Sequence, residues 1–227
     1  MINALIEKFS ENYLKYVCII ENLKSQDKEI LYISNFSVAF RLIPSNIVML
    51  AGVSDYENAV NAVPNLSSTI FTPDEEFKSL LIDRGLGAIE CKQYLYGDQQ
   101  VESGEVEIKK LSATNENVKL VKENYSLNYT DEQIVNVLSG RFLLGGFIGG
   151  EICGFVGMHD ELSVGLLQVL PKFKRRGIGS ILLKTCVNYC IDNNFVPFCH
   201  VRSENFASIE LHKKLNCKVY ENNVFWF

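Results

Sequence analysis

The chain has 227 residues, of which 47% are hydrophobic and 22% charged, ordinary values for a globular protein of one large or two smaller domains. The formal net charge of −5, without an extended excess of basic residues, excludes the usual electrostatic basis of nucleic-acid binding. No apolar run could span a bilayer, and the first residues lack the basic and apolar blocks of a signal peptide. We therefore expect a cytoplasmic protein without a membrane partner.

The seven cysteines form no C-x-x-C pair, and their number is odd. We interpret them as small buried hydrophobic residues in a reducing compartment. A zinc site would need histidines at ligand spacing, and His159, His200 and His212 do not provide them. We expect no metal.

The first half of the chain predicts helices and strands in alternation. Apolar residues three and four apart in the first 24 residues predict an amphipathic helix. Further strands are predicted over 36–43, 47–50, 68–72 and 89–96, and further helices over 56–63 and from Pro73 to Gly85. Residues 97–104 are polar and flanked by glycines, which is typical of a boundary. We therefore predict two domains, 1–103 and 104–227.

The second half predicts a different order of elements. The predicted elements are a strand over 106–109, two helices within 113–139 with start signals at Thr114 and Thr130, strands over 142–147 and 152–159 joined by Gly149-Gly150, a strand over 163–170, a helix over 177–192, a strand over 196–201, a helix over 205–215 and a strand region over 218–227. This order predicts an α+β sheet with helices on both faces, not a doubly wound fold.

The loop that follows the strand over 163–170 gives the clearest indication of a binding site. Gly177 and Gly179 allow the backbone to approach a ligand, and the start of the helix offers unpaired N–H groups. Lys174, Arg175 and Arg176 add three positive charges. Together these features predict a pyrophosphate site.

Two other phosphate-binding loops are excluded. A P-loop needs a lysine after its second glycine, but Gly179 is followed by Ser180, and a dinucleotide fingerprint needs a glycine where Leu182 stands. The pattern alone could be an ordinary loop before a helix. The strand, the proline and the amphipathic helix fall in register around it, which favours a binding site.

Two blocks of sequence carry a resemblance to a known family. The run Leu167-Gln168-Val169-Leu170-Pro171-x-x-Lys174-Arg175-Arg176-Gly177-Ile178-Gly179-Ser180, followed by the block 205–215, resembles the GNAT superfamily of acyl-CoA-dependent N-acyltransferases. Residues 197–201 and 211–215 resemble its glycine N-acyltransferase-like branch. The resemblance covers about 105–227. It implies a GNAT-type mixed, mostly antiparallel sheet flanked by helices, with acetyl-CoA as co-substrate.

The resemblance also implies where the coenzyme would lie. The backbone of Leu167, Gln168 and Val169 would pair with the pantetheine arm like an added strand. Backbone amides of Arg175, Arg176, Gly177, Ile178, Gly179 and Ser180 would hold the pyrophosphate, and Asn205 would reach the coenzyme near its pantetheine. Lys174 stands where the family usually has Gln or Arg, and Asn216-Cys217 stands where it usually has Gly-Phe. Neither departure argues against coenzyme binding.

The catalytic residues follow less directly. His212 stands where many members have a tyrosine as general acid, and a helix-face histidine is the alternative interpretation. Asp160 and Glu161, beside His159, are candidates for the general base at a turn near the acceptor side, with a solvated loop or a water relay as alternatives.

These features predict an N-acyltransferase that moves an acetyl or short acyl group from acyl-CoA to a primary amine of a small molecule or amino acid. A non-catalytic acyl-CoA sensor and a nucleotide-binding regulator stay open, as does a homodimer.

One segment in the first half of the chain has a sequence pattern similar to that of a segment in the second half. Residues 75–86 can be laid on 204–215 at a constant offset of 129, with apolar and basic positions matched. This predicts that 36–96 are a degenerate partial copy of the same fold, as an N-terminal α/β domain, with coincidental helical periodicity as the alternative.

Overall fold

The computed structural model describes residues 1–24, 27–43, 45–102, 104–125 and 129–227. These residues form two compact units, which are not contiguous in sequence. The first contains 1–95, 200–209 and 218–227, and the second contains 96–199 and 210–217. The predicted division at 103/104 instead assigns the last ten residues to the second part. Ser103 lies outside the described residues, and a division into two independent domains stays a prediction.

The elements follow one another in a single list along the chain. They are α1 (Ile2–Ser10), α2 (Tyr13–Lys24), β1 (Lys28–Ile33), β2 (Ser37–Leu42), β3 (Val48–Gly52), α3 (Tyr56–Asn61), β4 (Ile70–Thr72), α4 (Glu75–Asp83), β5 (Ile89–Tyr96), β6 (Glu107–Lys110), α5 (Asn115–Asn124), α6 (Asp131–Gly140), β7 (Leu143–Ile148), β8 (Glu151–Met158), β9 (Val164–Val169), a 3₁₀ turn (Pro171–Phe173), α7 (Ile178–Asp192), β10 (Phe198–Arg202), α8 (Phe206–His212), β11 (Cys217–Val219) and β12 (Val224–Trp226).

The structure differs from the sequence-based prediction at three elements. The first 24 residues form two helices, because the amides of Glu11 and Asn12 bond to carbonyls only three residues back and the chain turns there. β1 was not predicted, since no side chain of this strand is fully buried and it shows no clean alternation. The single predicted strand region at the C-terminus is two strands, β11 and β12.

The first unit is built on a mixed sheet. Its strand order begins β1-β2-β3-β4-β12-β5, with β10 next and β11 also paired to β5. β1 to β3 are antiparallel, whereas β3 and β4 are parallel, with Val48 opposite Ile70. The C-terminal strand β12 inserts between β4 and β5, antiparallel to both. This insertion is why the last residues of the chain belong to the first unit.

The second unit is built on an antiparallel sheet of order β6-β7-β8-β9. Helix α7 packs so closely on this sheet that a Cβ on Gly154 would lie 2.9 Å from Leu182. The buried side chains of α5 and α6, among them Val121 and Leu138, pack in one cluster with Phe155 and Leu166 of the sheet. The predicted α+β fold with a mostly antiparallel sheet flanked by helices is confirmed.

The order of elements is repeated along the chain. Two helices, three strands, a helix, a strand, a helix and a strand follow one another from α1 to β5, and again from α5 to β11. In each copy the helix after the third strand has a left-handed N-cap, Asp55 (φ 64°) in α3 and Gly177 (φ 79°) in α7. This order is the one that a degenerate copy requires, and the copy itself stays a prediction.

Within the described residues, no helix is long and apolar enough to cross a membrane.

Candidate functional site

Strand β9 carries a bulge at the edge of the second unit's sheet. Its partner β8 pairs Phe155 with Gln168 and Gly157 with Gly165, so Leu166 and Leu167 together oppose the single residue Val156. Leu166 has a φ of 53°, which marks the irregular residue. A bulge bends a strand and takes backbone groups out of the ladder. Residues 167–169 therefore follow a bent, half-buried edge that can pair with an extended ligand.

In the loop after β9, residues with a positive φ occur among residues with a negative φ. Pro171 to Phe173 form a 3₁₀ turn whose Phe173 side chain is buried. Lys174 is extended, Arg175 has a φ of 66°, and Gly177 has a φ of 79°. Left-handed residues within a short loop turn successive N–H groups toward one concave side, which is the geometry of an anion-binding nest.

Helix α7 begins in this loop. Gly177 is its N-cap, and the amides of Ser180 and Ile181 bond back to the Gly177 carbonyl. The first N–H groups of a helix have no intrahelical partner and carry partial positive charge. A Cβ on Gly179 would make only ordinary contact, 3.5 Å from Val169, so packing does not demand a glycine there. At residue 177, by contrast, the left-handed backbone itself favours glycine.

The basic side chains near the loop fall into two classes. Lys172 Nζ lies 2.5 Å from Glu151, Arg176 is paired with Glu105, and both cations lie over the ring of Phe173. The cations of the other class, Lys174 and Arg175, are exposed and form no salt bridge with the described residues. Sequence reasoning missed Glu105 and Glu151, because 71 and 21 residues separate them from their partners.

These features fit the diphosphate and pantetheine of a coenzyme A thioester. The bent edge of β9 offers backbone groups, the loop and α7 offer N–H groups, and the exposed cations offer positive charge. The predicted binding residues from Leu167 to Ser180 form one continuous stretch of the second unit.

Asn205 serves a local purpose in the structure. Its Oδ1 accepts a hydrogen bond from the amide of Ser208 at 3.1 Å, which caps the start of α8. Asn205 belongs to the first unit, whereas residues 174–180 belong to the second. Its predicted contact with the coenzyme stays a prediction.

His212 lies in the interior of the second unit, only 3% exposed. Its Nε2 is 3.2 Å from the Cys199 thiol, which is also 2.8 Å from the hydroxyl of Tyr96. Burial raises the pKa of Tyr96 well above its usual range, so this hydroxyl keeps its proton. A buried imidazole needs a path to solvent or substrate before it can donate a proton. Its role as general acid stays a prediction.

Asp160 and Glu161 lie in the turn between β8 and β9. Burial raises the pKa of Asp160, and the neighbouring Glu161 raises it further, while Arg141 and His159 lower it. Glu161 is 7% exposed and accepts a short hydrogen bond from the hydroxyl of Ser163. The two carboxylates, which were equal candidates in the sequence analysis, thus differ in burial. Asp160 is the more accessible, and Glu161 is held inside the turn.

No group of three or more His, Cys, Asp or Glu side chains suited to a metal occurs among the described residues.

A comparison with protein-family models assigns the part of the chain that contains this site. Residues 111–216 match the acetyltransferase (GNAT) family. The GNAT match spans β9, the basic loop, α7 and α8. No curated protein matched the chain.

Three solved structures share the fold over most or all of the chain. A Drosophila protein solved by X-ray crystallography has a TM-score of 0.71 at 16% identity, over 100% of this chain and 95% of its own. A GCN5-related N-acetyltransferase-like protein from Streptococcus suis has a TM-score of 0.60 at 14% identity, over 96% and 97%. A tandem GNAT protein from the clavulanic acid biosynthesis pathway has a TM-score of 0.50 at 13% identity, over 92% and 86%. At such identities the likeness concerns the fold alone.

The GNAT family match thus covers residues 111–216, slightly less than half of the chain, and the solved structures show a shared fold. The family's chemistry is acyl transfer from acetyl-CoA. The glycine N-acyltransferase-like branch stays a prediction.

Proposed function

We propose that the chain transfers an acetyl or short acyl group from acyl-CoA to a primary amine of a small molecule or amino acid. The observation that carries this proposal is the continuous stretch from the bulge of β9 to the N-terminus of α7. It combines a bent strand edge, left-handed residues at Arg175 and Gly177, and two exposed cations.

In this proposal the coenzyme runs along the stretch in one direction. Its pyrophosphate meets the N–H groups of the loop and of the start of α7 as far as Gly179, with Lys174 and Arg175 beside it. The predicted contact with the Ser180 amide would share a donor that already bonds to the Gly177 carbonyl. Its pantetheine continues along residues 169 to 167, so the thioester reaches the bulge. Backbone N–H groups freed at a bulge can then stabilise the oxyanion that forms when the amine attacks.

The proton transfers are assigned to two places. The general base comes from the cluster at residues 159–161, which contains the predicted candidates Asp160 and Glu161, and the general acid for the departing thiolate is His212. Asn205 contributes near the pantetheine. The first unit is proposed to be a degenerate copy of the same fold that holds no coenzyme, and the repeated order of elements and the likeness to a tandem GNAT protein support this assignment.

A second function, a sensor that binds acyl-CoA without turnover, is favoured by one observation. His212, the predicted acid, is buried against Cys199 and Tyr96. A sensor needs the coenzyme site but no path for protons.

A thiol-release screen distinguishes the two functions. The protein is incubated with acetyl-CoA and with amines, polyamines, amino acids and peptides, and free coenzyme A is measured together with calorimetric affinity. Amine-dependent release supports the transferase. Tight binding without release for any acceptor supports the sensor, and the absence of binding contradicts both.

A further inference from the structure

His159 is held in a fixed position at the end of β8. Its Nδ1 lies 2.9 Å from the hydroxyl of Tyr129, and the two rings are stacked with centroids 6.4 Å apart. The backbone amide of His159 also bonds to the carbonyl of Ser163 across the turn. The His159 side chain is half-buried.

The other contact of this imidazole is with the backbone of β9. A Cβ added to Gly165 would lie 2.0 Å from Nε2 of His159 and 2.3 Å from its Cδ2. Any side chain at residue 165 would therefore displace the ring. Gly165 thus leaves a place for the imidazole directly before the bulge at Leu166.

This place lies at one end of the proposed coenzyme path, so the inference rests on the proposed function. The pyrophosphate is assigned to the loop after β9 and the pantetheine to residues 169 to 167. The acyl group then comes to lie beyond Leu167, toward Leu166 and Gly165. The imidazole that rests on Gly165 consequently lies at the acyl end of the site.

We propose that His159 is the general base of the transfer, with Tyr129 as its positioning residue. When Nδ1 carries a proton and donates to the Tyr129 oxygen, the lone pair of Nε2 is available. The amine nitrogen bonds to the acyl carbon, its proton passes to Nε2, and the carbon–sulfur bond breaks. The coenzyme leaves as a thiolate that takes up a proton, so atoms and charge balance.

The neighbouring charges suit this role. Asp160, the next residue, interacts electrostatically with His159 and can stabilise the imidazolium that forms. Arg141, which donates to the Asp160 carbonyl at 3.3 Å, partly offsets that carboxylate. Glu161 is engaged with Ser163 inside the turn. Of the three residues 159–161, His159 is therefore the one whose ring lies against Gly165, directly before the bulge.

An alkylating substrate analogue tests the position without any acceptor. Bromoacetyl-CoA presents a reactive carbon next to the thioester carbonyl, and Nε2 would displace bromide to form a stable carbon–nitrogen bond. Peptide mapping after incubation should place the label on His159, and a tenfold excess of coenzyme A should suppress it. His200 is an internal control, and the half-buried thiol of Cys217 reports labelling that coenzyme A does not suppress.

Two variants make the test specific. His159→Gln should abolish the suppressible label, and Gly165→Ala should lower its rate at least tenfold by pushing the intact imidazole aside. Both should keep the calorimetric affinity for coenzyme A. With an acceptor from the screen, His159→Gln should lower kcat by about 100-fold with little change in KM for acetyl-CoA.

A failure of the His159 assignment can be distinguished from a failure of the proposed function. A suppressible label on another residue, or an unchanged label in Gly165→Ala, overturns the assignment of His159 while coenzyme binding stands. If coenzyme A does not bind, the proposed function fails, and His159 should then react no faster than a histidine in a short peptide.

Discussion

At the scale of single residues, cations that look equivalent in the sequence differ in their surroundings. Lys172 and Arg176 are each paired with a carboxylate and packed over Phe173, so much of their charge is already compensated. Lys174 and Arg175 are exposed, without a salt bridge to the described residues. Their charges are the ones available to a phosphate, whereas Lys172 and Arg176 stabilise the loop.

We expect Lys174→Gln and Arg175→Gln each to weaken coenzyme A binding. An exposed ionic contact contributes about 1 kcal/mol, which corresponds to about a fivefold higher dissociation constant. The dependence of affinity on salt should become weaker as well, because one screened contact is lost. Calorimetry at low and high salt measures both effects. Lys172→Gln is the matched control, and an equal loss in this variant would contradict the division of the cations.

A second prediction at this scale concerns Asp160. Its pKa is raised in the folded chain, so folding favours the protonated form. The stability that it contributes is fully present below the unfolded value, about pH 3.9, and is lost as pH rises through the folded pKa. Asparagine does not titrate. The melting temperature of Asp160→Asn relative to the natural protein should therefore rise between about pH 4 and neutrality.

The control for this prediction is Asp98→Asn, which removes an exposed carboxylate of the same unit. Its melting temperature relative to the natural protein should depend on pH much less. A flat difference for Asp160→Asn over the same range would show that this carboxylate is not destabilised by folding.

At the scale of elements, the starts of α5 and α6 could be predicted from the sequence. Thr114 accepts a hydrogen bond from the amide of Asn117, which caps α5 as predicted. Thr130 and Gln133 form a reciprocal capping box at the start of α6. Capping depends on residues three apart, so these signals survive without knowledge of the tertiary structure.

We expect Thr130→Ala to destabilise the protein by about 1 kcal/mol, because an orphan amide of α6 loses its acceptor. For a chain of this size this corresponds to a fall in melting temperature of about 2–4 °C. Thermal denaturation followed by circular dichroism measures the change. Gln133→Ala, which removes only the reciprocal bond, should have a smaller effect. Equal stability of Thr130→Ala and the natural protein would show that the capping box contributes nothing.

At the scale of the whole molecule, the two copies of the element order differ at the position of the proposed coenzyme site. In the first copy β3 is paired with β4, and the left-handed N-cap after β3 is Asp55, whose carboxylate would repel a phosphate. In the second copy the corresponding residue is Gly177, next to the exposed cations. The first copy therefore lacks both the free strand edge and the positive charge.

We expect one molecule of coenzyme A per chain. Isothermal titration calorimetry should give a stoichiometry of one, and Gly177→Glu should remove all binding, because it places a carboxylate at the phosphates and forces a side chain into a left-handed backbone. Circular dichroism should confirm that this variant still folds. A stoichiometry of two, or half of the binding retained in Gly177→Glu, would show that the first copy also holds coenzyme.

The sequence by itself determined the features that depend on neighbours along the chain. The hairpin at Gly149-Gly150, the helix caps at Thr114 and Thr130, and the glycine-rich start of α7 each arise from residues within a few positions, whose backbone preferences act locally. Even β5 has the predicted bounds, 89–96. Most of the fold and the central loop of the candidate site were therefore predictable.

Only the tertiary structure decided the features that join distant residues. The partners of Lys172 and Arg176, the burial of His212 against Cys199, and the place of β12 within the first unit's sheet connect positions 13 to more than 100 residues apart. The contact of His159 with Gly165 spans six residues, but it needs the register of β8 and β9 and the bulge between them. Such contacts depend on how packed elements meet, and local preferences carry no information about that.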